Sequence, residues 1–376
     1  MSHASSCDGE LAFAAGPTNT GPMAKMFRAT EQCRSDTASP RPARWGGALV
    51  LVLVFAGGTR LSGSPNATNT LAKPGLHPEL TEPPCSYCST ENRKGFIRTD
   101  DRVIAWIRGA HNGGAIPLRH FLSRTRIIND TYGLFFHDPD GGYVSAFKKD
   151  SGYTFYGWRN GIMVARGPDG TLWSCLSGRG LAGPKESQRL ERLPAFMTEW
   201  SYWLMLHPES TAYNLFDGRK YEASTWPETL SEGAQATMGM ADKRLEPLAQ
   251  VLGVEHAGQA KVFPLDRIPE RACFLEQIGG EPVAVFWYGP TRSAVSFSAR
   301  FKERTLTFYA DADSPETAPF KDRQTGTRWT LAGRSVDGPL RGEELTWIPG
   351  IQCRWYAWAA EFPQTTLHEG KPITAK

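Results

Sequence analysis

One pattern is written twice along this chain. Gly170-Thr171, Trp173, Gly178-Arg179, Gly183-Pro184, Leu190, Pro194, Trp200, Trp203, Pro208 and Thr211 recur in order as Gly326-Thr327, Trp329, Gly333-Arg334, Gly338-Pro339, Leu345, Pro349, Trp355, Trp358, Pro363 and Thr366. From Gly178 onward the spacing is a constant 155 residues. That period is too long for a solenoid unit, so each copy is expected to be a small domain of its own. Pro117-Leu118 against Pro264-Leu265, and Thr154-Phe155-Tyr156 against Thr307-Phe308-Tyr309, extend the likeness upstream. Two units follow, 93–215 and 246–368, with polar residues 216–245 as the linker between them.

Within each unit the pattern reads as antiparallel β structure. Arg102–Arg108, Tyr143–Lys148, Tyr153–Tyr156 and Gly161–Arg166 are short β-branched and aromatic runs, separated by turn sequences such as Asp138-Pro139-Asp140-Gly141-Gly142 and Gly167-Pro168-Asp169-Gly170. Phe196, Trp200, Trp203 and His207 lie at helical spacing, as do Ile351, Trp355, Trp358 and Phe362. The expected fold is mainly β (α+β): two tandem similar antiparallel β-rich domains, each closed by one helix whose tryptophans face the sheet, related by a pseudo-two-fold axis.

The ends of the chain differ from this body. Residues 1–44 read as a disordered leader, because Ser, Thr, Gly and Pro with scattered charge cannot bury enough apolar surface to offset ordering entropy. Arg41 and Arg44 then flank the apolar run within 45–58, which has the form of a signal peptide or a membrane anchor. Either reading keeps the arginines inside and exports residues 59–376, to the periplasm or the exterior. Residues 59–92 read as a connector rich in Pro, Ser and Thr, and 369–376 as a tail.

The connector carries Cys85-Ser86-Tyr87-Cys88. A two-residue spacer lets both sulfurs face one point, which suits a disulfide, a metal half-site or a redox pair, and all three stay open. Ser89 stands where covalent haem attachment needs His, so no haem is expected. A transition metal held by Cys85 and Cys88 would need distant ligands, and His111, His120 and His137 are the candidates, with Asp130 and Asp138 as acid/base or ligand groups. Asp138 and Asp140 also read as plain turn formers, and Cys175, Cys273 and Cys353, each among apolar residues, as small core residues.

Several function classes lose their basis. Lys and Arg exceed Asp and Glu by only three, 42 against 39, so no basic field for nucleic acid is present. Gly178-Arg179-Gly180-Leu181-Ala182-Gly183 has dinucleotide spacing, but Pro184 follows where a helix must run and Ser335 replaces the middle glycine in the second copy, so no NAD is expected. The chain has no G-x-S-x-G elbow, no H-E-x-x-H and no P-loop lysine.

The Gly-x-x-Trp segments leading to Gly-Pro, the Leu-x-x-x-Pro, and Trp200-Ser201-Tyr202-Trp203 with His207-Pro208 resemble the bacterial family of domain of unknown function 3179. Arg334–Leu340 and Trp355–Ala360 are similar to that family's closing segment, and the resemblance spans most of 100–366. It implies an exported or envelope protein and no established activity. The family pattern also implies a His shortly before the Asn-Asp that resembles Asn129-Asp130, and a Cys-Pro-Leu-Cys after the next strand. This chain has Thr125 and Phe135-Phe136-His137-Asp138-Pro139 there. The functional expectation is a non-catalytic exported module that binds an envelope protein or a glycan in a groove between the copies, with Asn129, Asp130, Trp173 and Trp329 as groove candidates. The alternative is a metal- or thiol-dependent envelope enzyme that uses Cys85 and Cys88.

Overall fold

The structure, a computed structural model, describes residues 69–82, 97–108, 112–122, 125–213 and 226–375. In chain order the first elements are β1 (Thr70–Ala72), β2 (Glu79–Thr81), β3 (Arg102–Arg108), β4 (Asn112–Pro117), α1 (Arg119–Leu122), β5 (Ile127–Asn129), β6 (Gly133–Asp138) and β7 (Tyr143–Lys148). They are followed by β8 (Thr154–Arg159), β9 (Ile162–Arg166), β10 (Leu172–Ser174), β11 (Gly180–Ala182), β12 (Ala195–Glu199), α2 (Trp200–Leu206), β13 (Thr211–Ala212) and α3 (Glu232–Thr237). The second half contains β14 (Gln250–His256), β15 (Gln259–Pro264), β16 (Arg271–Ile278), β17 (Glu281–Tyr288), β18 (Ser293–Ser298), β19 (Arg300–Phe301) and β20 (Arg304–Thr305). It closes with β21 (Phe308–Ala310), β22 (Phe320–Asp322), β23 (Arg328–Trp329), β24 (Gly350–Arg354), α4 (Trp355–Glu361) and β25 (Thr366–Leu367). The protein is mainly β.

Two four-stranded sheets have the orders β12-β3-β4-β13 and β24-β14-β15-β25. In each the first two pairings are antiparallel and the last is parallel. The period-2 pattern of β3 explains its place between layers. Val103 and Ala105 pack with Trp200 and Trp203 of α2, whereas Ile104 and Trp106 pack with Ile116, Ile128 and Phe135. In β14, Val251 packs with Trp355 and Trp358 of α4, and Leu252 and Val254 face Phe263 and Phe274. The antiparallel meander β5-β6-β7, edged by β2, lies in one half, and the meander β16-β17-β18 in the other.

Both repeated Gly-Arg steps sit in one environment. Gly178 and Gly333 have φ of 72° and 78°. A Cβ at Gly178 would lie 2.3 Å from the Phe147 ring, and one at Gly333 would lie 2.5 Å from Phe297. Only glycine meets both the left-handed backbone and the close approach of an aromatic ring.

Three sequence expectations change on folding. Both helices begin later than the spacing suggests, at Trp200 and Trp355, because Phe196 and Ile351 belong to strands that pair with β3 and β14. The stretch read as a connector supplies two strands, β1 against β8 and β2 against β5. The stretch read as a linker contains α3, whose Ala234 is fully buried, and Leu245, which joins the same core.

Candidate functional site

The tip of the β6–β7 hairpin gathers charge in the interior. β6 is buried along its whole length, and His137, Asp138 and Asp140 are 0%, 1% and 4% exposed. Buried carboxylates persist only when hydrogen-bonded, and these are. The Gly141 N–H donates to Asp138 Oδ1 and the Met163 N–H to Oδ2, both at 3.1 Å. Asp140 accepts the N–H of Ser231 at 2.7 Å and its hydroxyl at 2.6 Å. Ser231 in turn caps α3 by accepting from the Ala234 N–H. The second half reaches across to the turn: the Arg354 N–H donates to Gly141 O at 2.8 Å, and its Nη1 to Asp140 O at 3.1 Å.

Burial, and next the neighbouring Asp140 charge, push the Asp138 carboxyl up to about 6, against the hydrogen bonds from Gly141 and Met163 and the field of Arg126. Burial, with Arg126 adding to it, drives His137 well below the usual imidazole range. The His137 ring is stacked between Phe121 at 5.0 Å and Trp226 at 5.6 Å, and neither nitrogen has a hydrogen-bond partner among the described residues. Burial and Arg126 also lower His77 to about 4, against the opposing pull of Asp140.

The other sequence candidates are distributed as follows. Asn129 clamps Tyr153, donating to its carbonyl and accepting from its N–H, each at 3.2 Å. Asp130 accepts the Tyr213 hydroxyl at 2.7 Å. Trp173 and Trp329 are core side chains, 2% and 0% exposed, and Trp329 Nε1 donates to Asp322 at 3.0 Å. Cys175, Cys273 and Cys353 are buried free thiols. Cys85, Cys88, His111 and the apolar run at 45–58 lie outside the described residues, and nothing is described of the His120 side chain. Among the described residues no group of three or more His, Cys, Asp or Glu could hold a metal ion, and no helix is long and apolar enough to cross a membrane.

Concave surface lies elsewhere. A groove of about 740 Å³ is walled by the β8–β9 turn and β11, by residues 238–243, and by α4. Arg159, Arg179 and Lys243 line it together with Asp242, Tyr356 and Glu361. Both acids are already engaged, since Asp242 holds Arg244 through Nε at 3.0 Å and Nη2 at 2.7 Å, and Glu361 accepts the Ser177 hydroxyl. Met163 links the groove to the buried acids, lining the one while its N–H holds Asp138. None of Asn129, Asp130, Trp173 and Trp329 is a wall residue. The sequence held one signal for this surface, the exposed Arg179 of the repeated Gly-Arg step, whereas the other walls are brought together only by folding.

No curated protein and no solved structure matches the chain. A family model does match, over residues 158–365, taking in both Gly-Thr-x-Trp segments, both tryptophan helices and most of the groove wall, but not the β6–β7 tip. The matched stretch starts later than the resemblance around residue 100 suggests, and it is more than half of the 376 residues. The chain therefore belongs to the family described as protein of unknown function, DUF3179.

Proposed function

We propose that this is a non-catalytic, exported binding module, made of two copies of one β-rich unit in pseudo-two-fold relation, that holds an acidic partner in the groove at their junction. The observation that carries this reading is the composition of the groove wall. Hairpin β8–β9 precedes the linker in sequence and α4 follows it, yet both line one cavity. The matched strand orders of the two four-stranded sheets support the two-copy architecture. The charge of the wall selects the partner. Arg159, Arg179 and Lys243 line the groove, Asp242 is ion-paired with Arg244, and the one remaining carboxylate, Glu361, is outnumbered by the three cations, so net positive potential is left for a ligand carboxylate. An acidic glycan or an acidic segment of an envelope protein supplies that chemistry. The apolar run at 45–58 fits export by a signal peptide or retention by an anchor.

Titration calorimetry with polygalacturonate, poly-glutamate and neutral dextran tests this. Binding of an acidic polymer that weakens with salt, and is lost in Arg159→Glu/Arg179→Glu, is the expected result. No binding of either acidic polymer, or binding that survives the charge reversal, overturns it.

One observation favours a second reading, a metal- or thiol-dependent envelope enzyme. His137 keeps two ring nitrogens without a partner among the described residues, in a buried aromatic sandwich, where polar atoms are as a rule partnered. Elemental analysis and a thiol count on wild type and Cys85→Ser/Cys88→Ser decide it. Stoichiometric metal lost in the variant supports the enzyme, and two thiols recovered only on reduction support a disulfide-stapled binding module.

A further inference from the structure

The groove does not end at α4. A second cavity, of about 420 Å³, adjoins it, since Arg179, Glu361 and Pro363 line both. Its remaining wall comes from Gly258 and the start of β15, and from residues 362–366 after α4. The groove alone has the size of an ordinary small-molecule site, about 300–1,000 Å³, so a ligand confined to it would have no use for the extension. Two adjoining cavities suit a chain.

The two parts differ in charge. Arg159, Arg179 and Lys243 line the first, against Glu361 and an Asp242 already ion-paired with Arg244. On the second wall Arg179 and Arg189 stand against Glu361 and Glu255, and Arg189 Nη1 holds Glu255 Oε2 at 2.8 Å. The charges of that part cancel, so a further ligand carboxylate would gain nothing there. What it offers instead is neutral. Gln259, Gln364 and Thr366 are exposed on it, and Gln259 Oε1 accepts the Gly279 N–H at 2.9 Å, which fixes the amide and leaves its NH2 as a donor. Phe362, half-buried and packed on Trp358 with ring centroids 4.3 Å apart, supplies an aromatic wall. Amides, a hydroxyl and an aromatic ring match a sugar, which carries hydroxyls on its edge and C–H groups on its faces.

We infer, resting on the reading of the groove as a site for an acidic partner, that the whole cleft holds a linear glycan with one uronate unit. The uronate carboxylate lies among Arg159, Arg179 and Lys243, and uncharged sugars run past Glu361 onto Phe362, Gln259 and Gln364. An acidic protein segment fits less well, because its further carboxylates would meet Glu255 and Glu361. No bond to the ligand is made or broken.

Titration calorimetry on the full-length protein compares glucuronate, glucuronosyl-xylotriose, xylotetraose and tetraglutamate. The charged tetrasaccharide is expected to bind about tenfold or more tightly than each of the other three, the worth of one or two added hydrogen bonds. Gln259→Ala/Gln364→Ala alters two exposed side chains and no charge, and should bring the tetrasaccharide down to the affinity of glucuronate. Equal affinity for glucuronate and the charged tetrasaccharide, tetraglutamate binding as tightly as that tetrasaccharide, or a gain that survives in Gln259→Ala/Gln364→Ala would each overturn the glycan assignment and leave the acidic-partner reading standing. No saturable binding of any acidic compound at millimolar concentration, or xylotetraose binding as tightly as the charged tetrasaccharide, would overturn both.

Discussion

The β6–β7 and β17–β18 hairpins close in the same way and are stabilised by opposite chemistry. Each ends on a paired residue, Asp138 with Tyr143 and Tyr288 with Ser293, and each turn has a left-handed residue before the return strand, Gly142 at φ 65° and Arg292 at φ 47°. Each is also docked by an arginine from the other half, Arg354 on the first tip and Arg102 on the second. The first tip buries two carboxylates and an imidazole without a partner among the described residues. The second buries neutral hydroxyls, with Ser293 bonded to Thr198 and Thr291 at 2.9 Å. The difference teaches that backbone geometry specifies the turn, while the charge stored in it is free to vary. A tip that stores buried acids should then be the costlier and the more pH-sensitive of the two.

The largest expected effect comes from the docking arginines. Arg354→Met removes the cation beside Asp138 and Asp140 and the donor to Asp140 O, and should cost about 3 kcal/mol in urea unfolding. Arg102→Met strips donors only from the carbonyls of Thr291 and Arg292, and should cost about 1–2 kcal/mol. Equal costs would break the comparison.

A smaller effect concerns pH. Because the folded pKa of Asp138 is raised to about 6, the folded state holds a proton that the unfolded chain has released. Its contribution is therefore greatest below about pH 4 and is lost as pH rises through about 6. The stability of wild type relative to Asp138→Asn should fall by about 2–3 kcal/mol across that window, measured by unfolding at successive pH values. A flat difference would mean that Arg126 and the hydrogen bonds from Gly141 and Met163 cancel the push of burial and of Asp140.

The smallest effect should be stabilising. His137→Phe keeps a ring between Phe121 and Trp226 and removes two buried polar atoms that have no partner among the described residues, so it should gain about 1 kcal/mol at neutral pH. The gain should grow below about pH 6.5, where the unfolded imidazole binds a proton that the folded one resists. A loss of stability instead would mean that His137 has a ligand or partner in solution.

Local pattern alone determined much of this protein. Alternating runs such as Arg102–Arg108 became strands, Asp138–Gly142 became a turn, and Trp200, Trp203, Trp355 and Trp358 became the buried faces of two helices. These outcomes depend on side-chain period and turn chemistry within a few residues, so they are legible without the fold. The helix starts were not, because Phe196 and Ile351 have helical spacing yet pair with strands about 90 to 100 residues away in the chain, and tertiary pairing overrides local period. For the same reason the connector and the linker looked featureless, although Thr70–Ala72, Glu79–Thr81 and Ala234 find their partners in other segments. Sequence marked Trp173 and Trp329 as groove candidates because they repeat, but their place in the two cores explains the repetition. Only the tertiary structure could bring Arg159, Arg179, Lys243 and Tyr356 to one groove, and set His368 among Glu276, Phe263 and Phe274. Such sites are made of residues far apart in the chain, and what defines them, burial and the absence or presence of a hydrogen-bond partner, comes into being only when the chain closes.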